Sequence, residues 1–281
     1  MAGLCDHEPK RTESNMHRVI RGAIYAFSGA IGVLAFAYPF FTVSRPGGSL
    51  GLAHSRDAPL IAMALVGVSL IALLVELQGG TLGAKMVALL GVLVAIASVL
   101  RFVEVVLPMP GGFSPIFAPI ILSGYVFGGR FGFLVGVFTM LVSGLITGGV
   151  GPWLPYQMFT AGWAGMTAGW LGRISESASQ RVSILILCAF GFVWGLLYGV
   201  IINIYFWPFA VGTAEQTWSP GIGLRETLAR YATFYLATSL PWDLARAVGN
   251  VALILLLGAP VVRALARFQR RFHFEVHATD A

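Results

Sequence analysis

The chain has 281 residues, of which 57% are hydrophobic and only 11% charged, against roughly a quarter charged in ordinary soluble domains. That balance excludes a soluble globular enzyme and a disordered chain. The 18 Lys and Arg against 12 Asp and Glu, a net +6, do not indicate nucleic-acid binding; a basic excess on so apolar a chain is what the positive-inside rule leaves on a membrane protein. No charged residue occurs from Phe131 to Gly172, nor from Val182 to Ala214, and uncharged runs of that length belong in lipid. The 35 glycines suit closely packed membrane helices. Cys5 stands in a polar tail and Cys188 in an apolar run, so no disulfide framework is implied.

The sequence predicts an all-α, polytopic membrane helix bundle of about eight spans. Residues 1–21 form a polar tail. Residues 22–43 are too long for the apolar part of a cleavable signal and are read as the first span. The second is expected at 58–77, after an outside loop at 44–57, so that 22–82 make up two additional helices ahead of a glycine-rich break at 79–83. Six spans follow, at 86–107, 116–128, 131–146, 157–171, 182–206 and a long last segment at 228–264. Three of these, the fourth to the sixth in the chain, are short for a hydrocarbon core of about 30 Å at about 1.5 Å per residue, which is tolerable inside a bundle. The last contains Pro241, so its first part is expected at the membrane surface or as a kinked outer extension. The core unit is therefore 83–268, with a tail at 269–281.

Placing the N-terminus inside puts Lys10, Arg11, Arg18, Arg21, Lys85, Arg130, Arg173, Arg181, Arg263, Arg267, Arg270 and Arg271 on the inner side. Only Arg45, Arg56, Arg225 and Arg230 then lie outside, a split of twelve to four, with Arg101 and Arg246 inside spans. The asymmetry predicts two cytoplasmic termini and an even number of spans.

The motifs of soluble catalysis are absent. There is no phosphate-cradling G-x-x-x-x-G-K-[ST], no H-E-x-x-H, no clustered Cys/His spacing and no G-x-S-x-G, and all five histidines fall in tails or loops. No cofactor and no metal are expected. The most informative stretch is 148–158, where two prolines stiffen an outside loop, three glycines let it turn tightly, and Trp153, Tyr156 and Gln157 offer stacking and hydrogen bonds. Its plainer reading is an interfacial aromatic anchor. A second outside loop at 108–115 holds Gly112 and Phe113, as a lid hinge or a tight turn. Arg101 and Glu104 stand three residues apart in the third span, and Asp243 and Arg246 three apart beside Trp242, with Asn250 one turn further on. Charges in the membrane mark function or pair with one another, so these residues form either a polar pocket open to the outside or ion pairs that fix the bundle. Small residues at helical spacing form four ridges: Gly128, Gly132 and Gly136; Ala161, Gly165 and Gly169; Gly195 and Gly199; and Gly91 with Ala95. Most such ridges pack inside the bundle, and one is free to face another protein.

These six spans resemble the substrate-binding S component of energy-coupling factor (ECF) vitamin transporters. The resemblance is carried by Gly91–Ala95 ahead of the Pro-Gly-Gly-Phe-Ser-Pro loop, by the glycine-rich stretch 127–136, by Gly-Pro-Trp-Leu-Pro-Tyr-Gln-Met at 151–158 followed by Gly162, Trp163, Ala164 and Gly165, and by Pro241-Trp242-Asp243 with Ala247 and Asn250. It implies a six-helix core that captures a vitamin or related micronutrient outside. It also implies a transmembrane coupling protein and two ATP-binding subunits as partners, with the Gly91–Ala95 ridge, or its competitor Ala84–Ala88, meeting the coupling protein. The expected pocket draws on Arg101, Glu104, Gly112, Phe113, Trp153, Tyr156, Gln157, Trp163, Trp242, Asp243, Arg246 and Asn250. The protein is expected in the bacterial cytoplasmic membrane, and not as an enzyme. Two rivals remain open: an ion- or proton-coupled secondary transporter using Glu104 and Asp243, and a membrane-embedded enzyme acting on lipid-linked substrates. The two extra spans at the front depart from the family pattern.

The charge split has a direct test. A cysteine placed at Thr279 should escape an impermeant thiol reagent in intact cells and react after permeabilisation; labelling in intact cells would reverse the orientation.

Overall fold

The computed structural model describes residues 9–37, 39–42, 83–107, 113–175 and 177–272, with six isolated positions between 60 and 71. The expected second span apart from those positions, the loop at 44–57, and Gly112 lie outside the described residues. Among the described residues there is no strand. The helices are α1 (Pro9–Ala37, followed by a short turn Pro39–Thr42), α2 (Ala84–Val106), α3 (Phe117–Phe127), α4 (Gly129–Thr147), α5 (Leu154–Ile174), α6 (Gln180–Phe206), α7 (Leu224–Thr238), α8 (Leu240–Leu253) and α9 (Ala259–Phe272), with a π turn Ile254–Gly258 joining the last two. Gly22–Phe41, Ala84–Val106, Gly129–Thr147, Gln180–Phe209 and Leu240–Arg270 are long and apolar enough to cross a membrane.

The centre of the bundle is α5. Its buried residues lie on nearly every side, and α1, α3, α4 and α6 pack round it. Its neighbours come so close because glycine meets glycine. A Cβ on Gly132 would fall on the carbonyl of Gly165 and the Cα of Gly124, and one on Gly136 would fall on the carbonyl of Ala161. Gly128, at φ +91°, makes the turn from α3 straight into α4, a conformation open to glycine at little cost. With 11 residues, α3 spans only about 16 Å. It is stable at that length because it is enclosed, with Phe117, Ala118 and every residue from Ile120 to Gly124 buried.

Two of the expected short spans are longer in the structure. Pro155 sits within the first turn of α5, where its missing N–H removes no helical bond, so that helix starts at Leu154. The α4 helix starts directly at the Gly128 turn. The expected single last segment is α7 and, after a break, α8 running through the π turn into α9. The break falls at Ser239 (φ −123°, ψ −29°), ahead of Pro241, whose ring excludes a continuous helix through that point. The Ser239 hydroxyl there accepts a hydrogen bond from Asn203 Nδ2 on α6 at 2.7 Å.

The first of the additional helices packs against the core. Gly32 admits the rings of Phe159 and Trp163, and Phe36 lies edge-on to Tyr156 at 5.0 Å. Beyond the end of α1, Phe40 meets Trp218 at 5.5 Å and Trp207 at 6.1 Å. These rings belong to a second apolar cluster, with Ala210 and Phe234, that caps this end of the bundle. Trp207 Nε1 donates to the Gln216 carbonyl at 2.8 Å and Arg230 Nη1 to that of Thr217 at 3.2 Å, which hold the capping loop closed.

Gly165→Leu should therefore drive α5 from α4 and lower the thermal unfolding midpoint in detergent. Overpacking of this kind costs about 1–3 kcal/mol or more. Gly91→Leu, where no atom lies within 4 Å of an added Cβ, should leave the midpoint unchanged. Equal midpoints for both variants would contradict the packing described.

Candidate ligand-binding site

Four charged side chains converge at the end of the bundle away from Arg130, Arg173 and α9. Two come from adjacent turns of α2. Glu104 accepts a hydrogen bond from the buried Ser114 hydroxyl at 2.6 Å, just ahead of α3. Arg101 extends towards α4, where Nη1 meets Met140 Sδ at 3.9 Å. Its Nε is buried with no hydrogen-bond partner, and it makes no ion pair with a described residue.

The other two come from the first turns of α8, where Asp243 and Arg246 pair with each other. Asp243 is 2% exposed, and its carboxylate fills the notch that Gly199 leaves on α6. Arg246 also donates to the Gly195 carbonyl at 3.3 Å and lies over the rings of Tyr198 at 5.0 Å and Phe117 at 5.9 Å. Asn250 continues the row, donating from Nδ2 to the Gly191 carbonyl at 3.0 Å, while its buried Oδ1 has no partner. The Phe113 ring lies against α8 where Gly249 leaves room for it. Tyr198, buried edge-on against Phe117 at 4.7 Å, lies within electrostatic reach of Arg101, Glu104, Asp243 and Arg246.

The structure thus brings Arg101, Glu104, Phe113, Asp243, Arg246 and Asn250 together. Tyr156 joins them indirectly: it is fully buried and stacked on Tyr205 at 4.3 Å, and Tyr205 is within electrostatic reach of Tyr198. The remaining expected residues point elsewhere. Trp153 is 42% exposed and bonds back to its own loop, Nε1 to the Gly149 carbonyl at 3.1 Å. Gln157 is half-buried beside it. Trp163 faces α1, tilted against Phe36 at 5.9 Å, and Trp242 is exposed on the outside of α8. Sequence reasoning missed Ser114, Tyr198 and Tyr205. The first stood in the loop already singled out, next to Phe113. The two tyrosines stand in a charge-free run where nothing local sets them apart.

The ridges divide in the same way. Gly132 meets Gly165, Gly136 meets Ala161, Gly169 meets Gly129, and Gly195 meets Ala247. Those three ridges are used up inside the bundle. Gly91 and Ala95 instead lie exposed on the outer face of α2.

A family model described as "ECF transporter, substrate-specific component" matches residues 85–258, more than half of the chain. The chain belongs to the ECF transporter substrate-specific components. No curated protein and no solved structure matches it. The match begins at the start of α2 and ends with the π turn, so α1 lies ahead of it. As an S component with five apolar helices of spanning length among the described residues, this is a multi-pass membrane protein. S components are substrate-specific subunits of transporters rather than enzymes, and they work with a membrane coupling protein and ATPases.

The Asp243–Arg246 pair of this S component is enclosed enough for its loss to be felt. Arg246→Ala should destabilise the protein by about 3–5 kcal/mol, because it strands a buried carboxylate. Asp243→Asn combined with Arg246→Gln should recover most of that loss. Equal unfolding midpoints for wild type and Arg246→Ala would mean that the pair contributes nothing to stability.

Proposed function

We propose that this chain is the nutrient-capturing subunit of an ECF-type importer in a bacterial cytoplasmic membrane. It takes up a vitamin or related small nutrient at the outer end of the core, residues 83–268, and releases it inward when a transmembrane coupling protein and two ATP-binding subunits drive the complex. Both termini lie in the cytoplasm, and residues 22–82 supply two helices additional to the core. The observation that carries the reading is the convergence of Arg101, Glu104, Ser114, Tyr198, Asp243 and Arg246 from α2, α6, α8 and the entry to α3. A constellation of charges in lipid is expensive, and where it persists it serves a polar pathway or ligand. Its position supports capture from outside: α2 begins at the inner, basic end near Lys85, and Arg101 stands about 24 Å further along the helix.

The free ridge on α2 supports the partner. Three ridges of the same kind are consumed by internal packing, and the fourth, with Gly91 and Ala95, leaves open space over its glycine. Small residues let a second helix backbone approach closely, and the coupling protein is the occupant we assign to this face.

Gly91→Trp and Ala95→Trp should each preserve binding of the co-purifying ligand, identified by mass spectrometry of the detergent-solubilised protein. Each should abolish uptake in cells that also express the coupling protein and ATPases. Normal uptake in both variants would remove the ridge from the partner interface, and loss of binding would place it in the pocket.

A further inference from the structure

Arg101 is the least satisfied cation of the polar cluster. Arg246 is surrounded by a carboxylate, a carbonyl and two ring faces. Arg101 brings five N–H donors, yet its one hydrogen-bond acceptor among the described residues is the Met140 thioether at 3.9 Å, a weak acceptor. Its Nε is buried without a partner, as is that of Arg246, but Arg246 has its carboxylate and carbonyl besides. Glu104, one turn further along α2, takes the Ser114 hydroxyl at 2.6 Å and does not close an ion pair with Arg101. A guanidinium in membrane surroundings without a strong acceptor is poorly solvated. The group that matches its flat fork of donors is an anion with two oxygens in one plane.

We propose that the captured nutrient carries a carboxylate and that Arg101 receives it through a two-oxygen contact beside the Tyr198 ring. This rests on the nutrient-capture reading and adds the ligand's charge to it. The charge balance favours a carboxylate over a phosphate. Arg101 and Arg246 together cancel Glu104 and Asp243, so a monoanion leaves the cluster with a single negative charge. A phosphate monoester brings about −1.5 to −2 into a site where Arg246 is already committed to Asp243 and two carboxylates stand nearby. An uncharged ligand can accept single hydrogen bonds from Arg101 but brings no charge and no planar pair of anionic oxygens to match its fork.

The test uses the full chain purified in detergent and washed free of bound small molecules. The probes are pairs that differ in the anionic group: nicotinate and nicotinamide, biotin and biotinamide, pantothenate and panthenol. The molecule that co-purifies with unwashed protein, identified by mass spectrometry, is added together with its uncharged derivative. We expect an acid to bind at least about tenfold more tightly than its uncharged partner, as a charge-assisted contact provides. Arg101→Gln should abolish that preference, leaving acid and uncharged partner equal. Arg101→Lys keeps the charge but loses the fork, and should weaken the acid about tenfold while sparing the uncharged partner. If Arg101→Gln does not fold, the lysine variant decides alone, and unchanged acid affinity there overturns the assignment. An uncharged or cationic co-purifying molecule, or acid preference that survives Arg101→Gln, overturns the carboxylate and leaves nutrient capture standing. A protein that retains no small molecule and responds to no probe overturns nutrient capture and this inference with it.

Discussion

The bundle depends on the contact of backbone with backbone along α3, α4 and α5. In lipid, apolar helices gain little from hiding their side chains from one another, because the tails around them are equally apolar. Association then rests on close packing and on hydrogen bonds. Gly124, Gly132 and Gly165 bring three backbones to a single point, where a Cβ on any of them would strike a carbonyl oxygen. That contact lets an 11-residue helix stand inside a membrane protein. Together with the Gly128 turn it sets how α3, α4 and α5 lie against one another.

The same device admits charge. Charged side chains within membrane helices are costly unless paired or hydrogen-bonded, and four of them gather here. The offsets are local and specific. Gly199 gives the Asp243 carboxylate a recess, Gly195 exposes a carbonyl to Arg246, and Gly191 exposes one to Asn250. Ring faces of Tyr198 and Phe117 flank the Arg246 guanidinium, an arrangement worth about 2 kcal/mol when desolvated. Glycine on α6 thus does two jobs, opening space for polar side chains and baring the backbone oxygens that satisfy them.

Much of this was legible in the sequence, because the signals are local. Apolar runs and their basic flanks located the helices from α2 to α6, and three-residue spacing singled out Arg101 with Glu104 and Asp243 with Arg246, of which the second closes an ion pair. The internal ridges were visible as periodic small residues, although nothing local distinguished the ridge on α2 that stays exposed from those that are consumed. What could not be read depends on distant partners. The role of Trp163 is set by α1, more than a hundred residues earlier. Tyr198 gains its significance from charges on two other helices. Pro241 announced an interruption, but the anchoring of the break by Asn203 reaching Ser239 from α6 depends on a partner more than thirty residues away. The Gly-Pro-Trp loop attracted attention by its chemistry, yet its indole closes on its own backbone.

The row of contacts between α6 and α8 acts as a toothed rack. Gly191, Gly195 and Gly199 face Asn250, Ala247 and Asp243 in turn, one helix running against the other. A slip by one turn would carry Asp243 out of its recess to the level of Gly195 and press Asn250 towards Leu187, a side chain in place of a gap. These contacts oppose sliding of one helix past the other. On the opposite wall, the half of the cluster carried by α2 is tied to its neighbours by different means, a serine hydroxyl and a thioether.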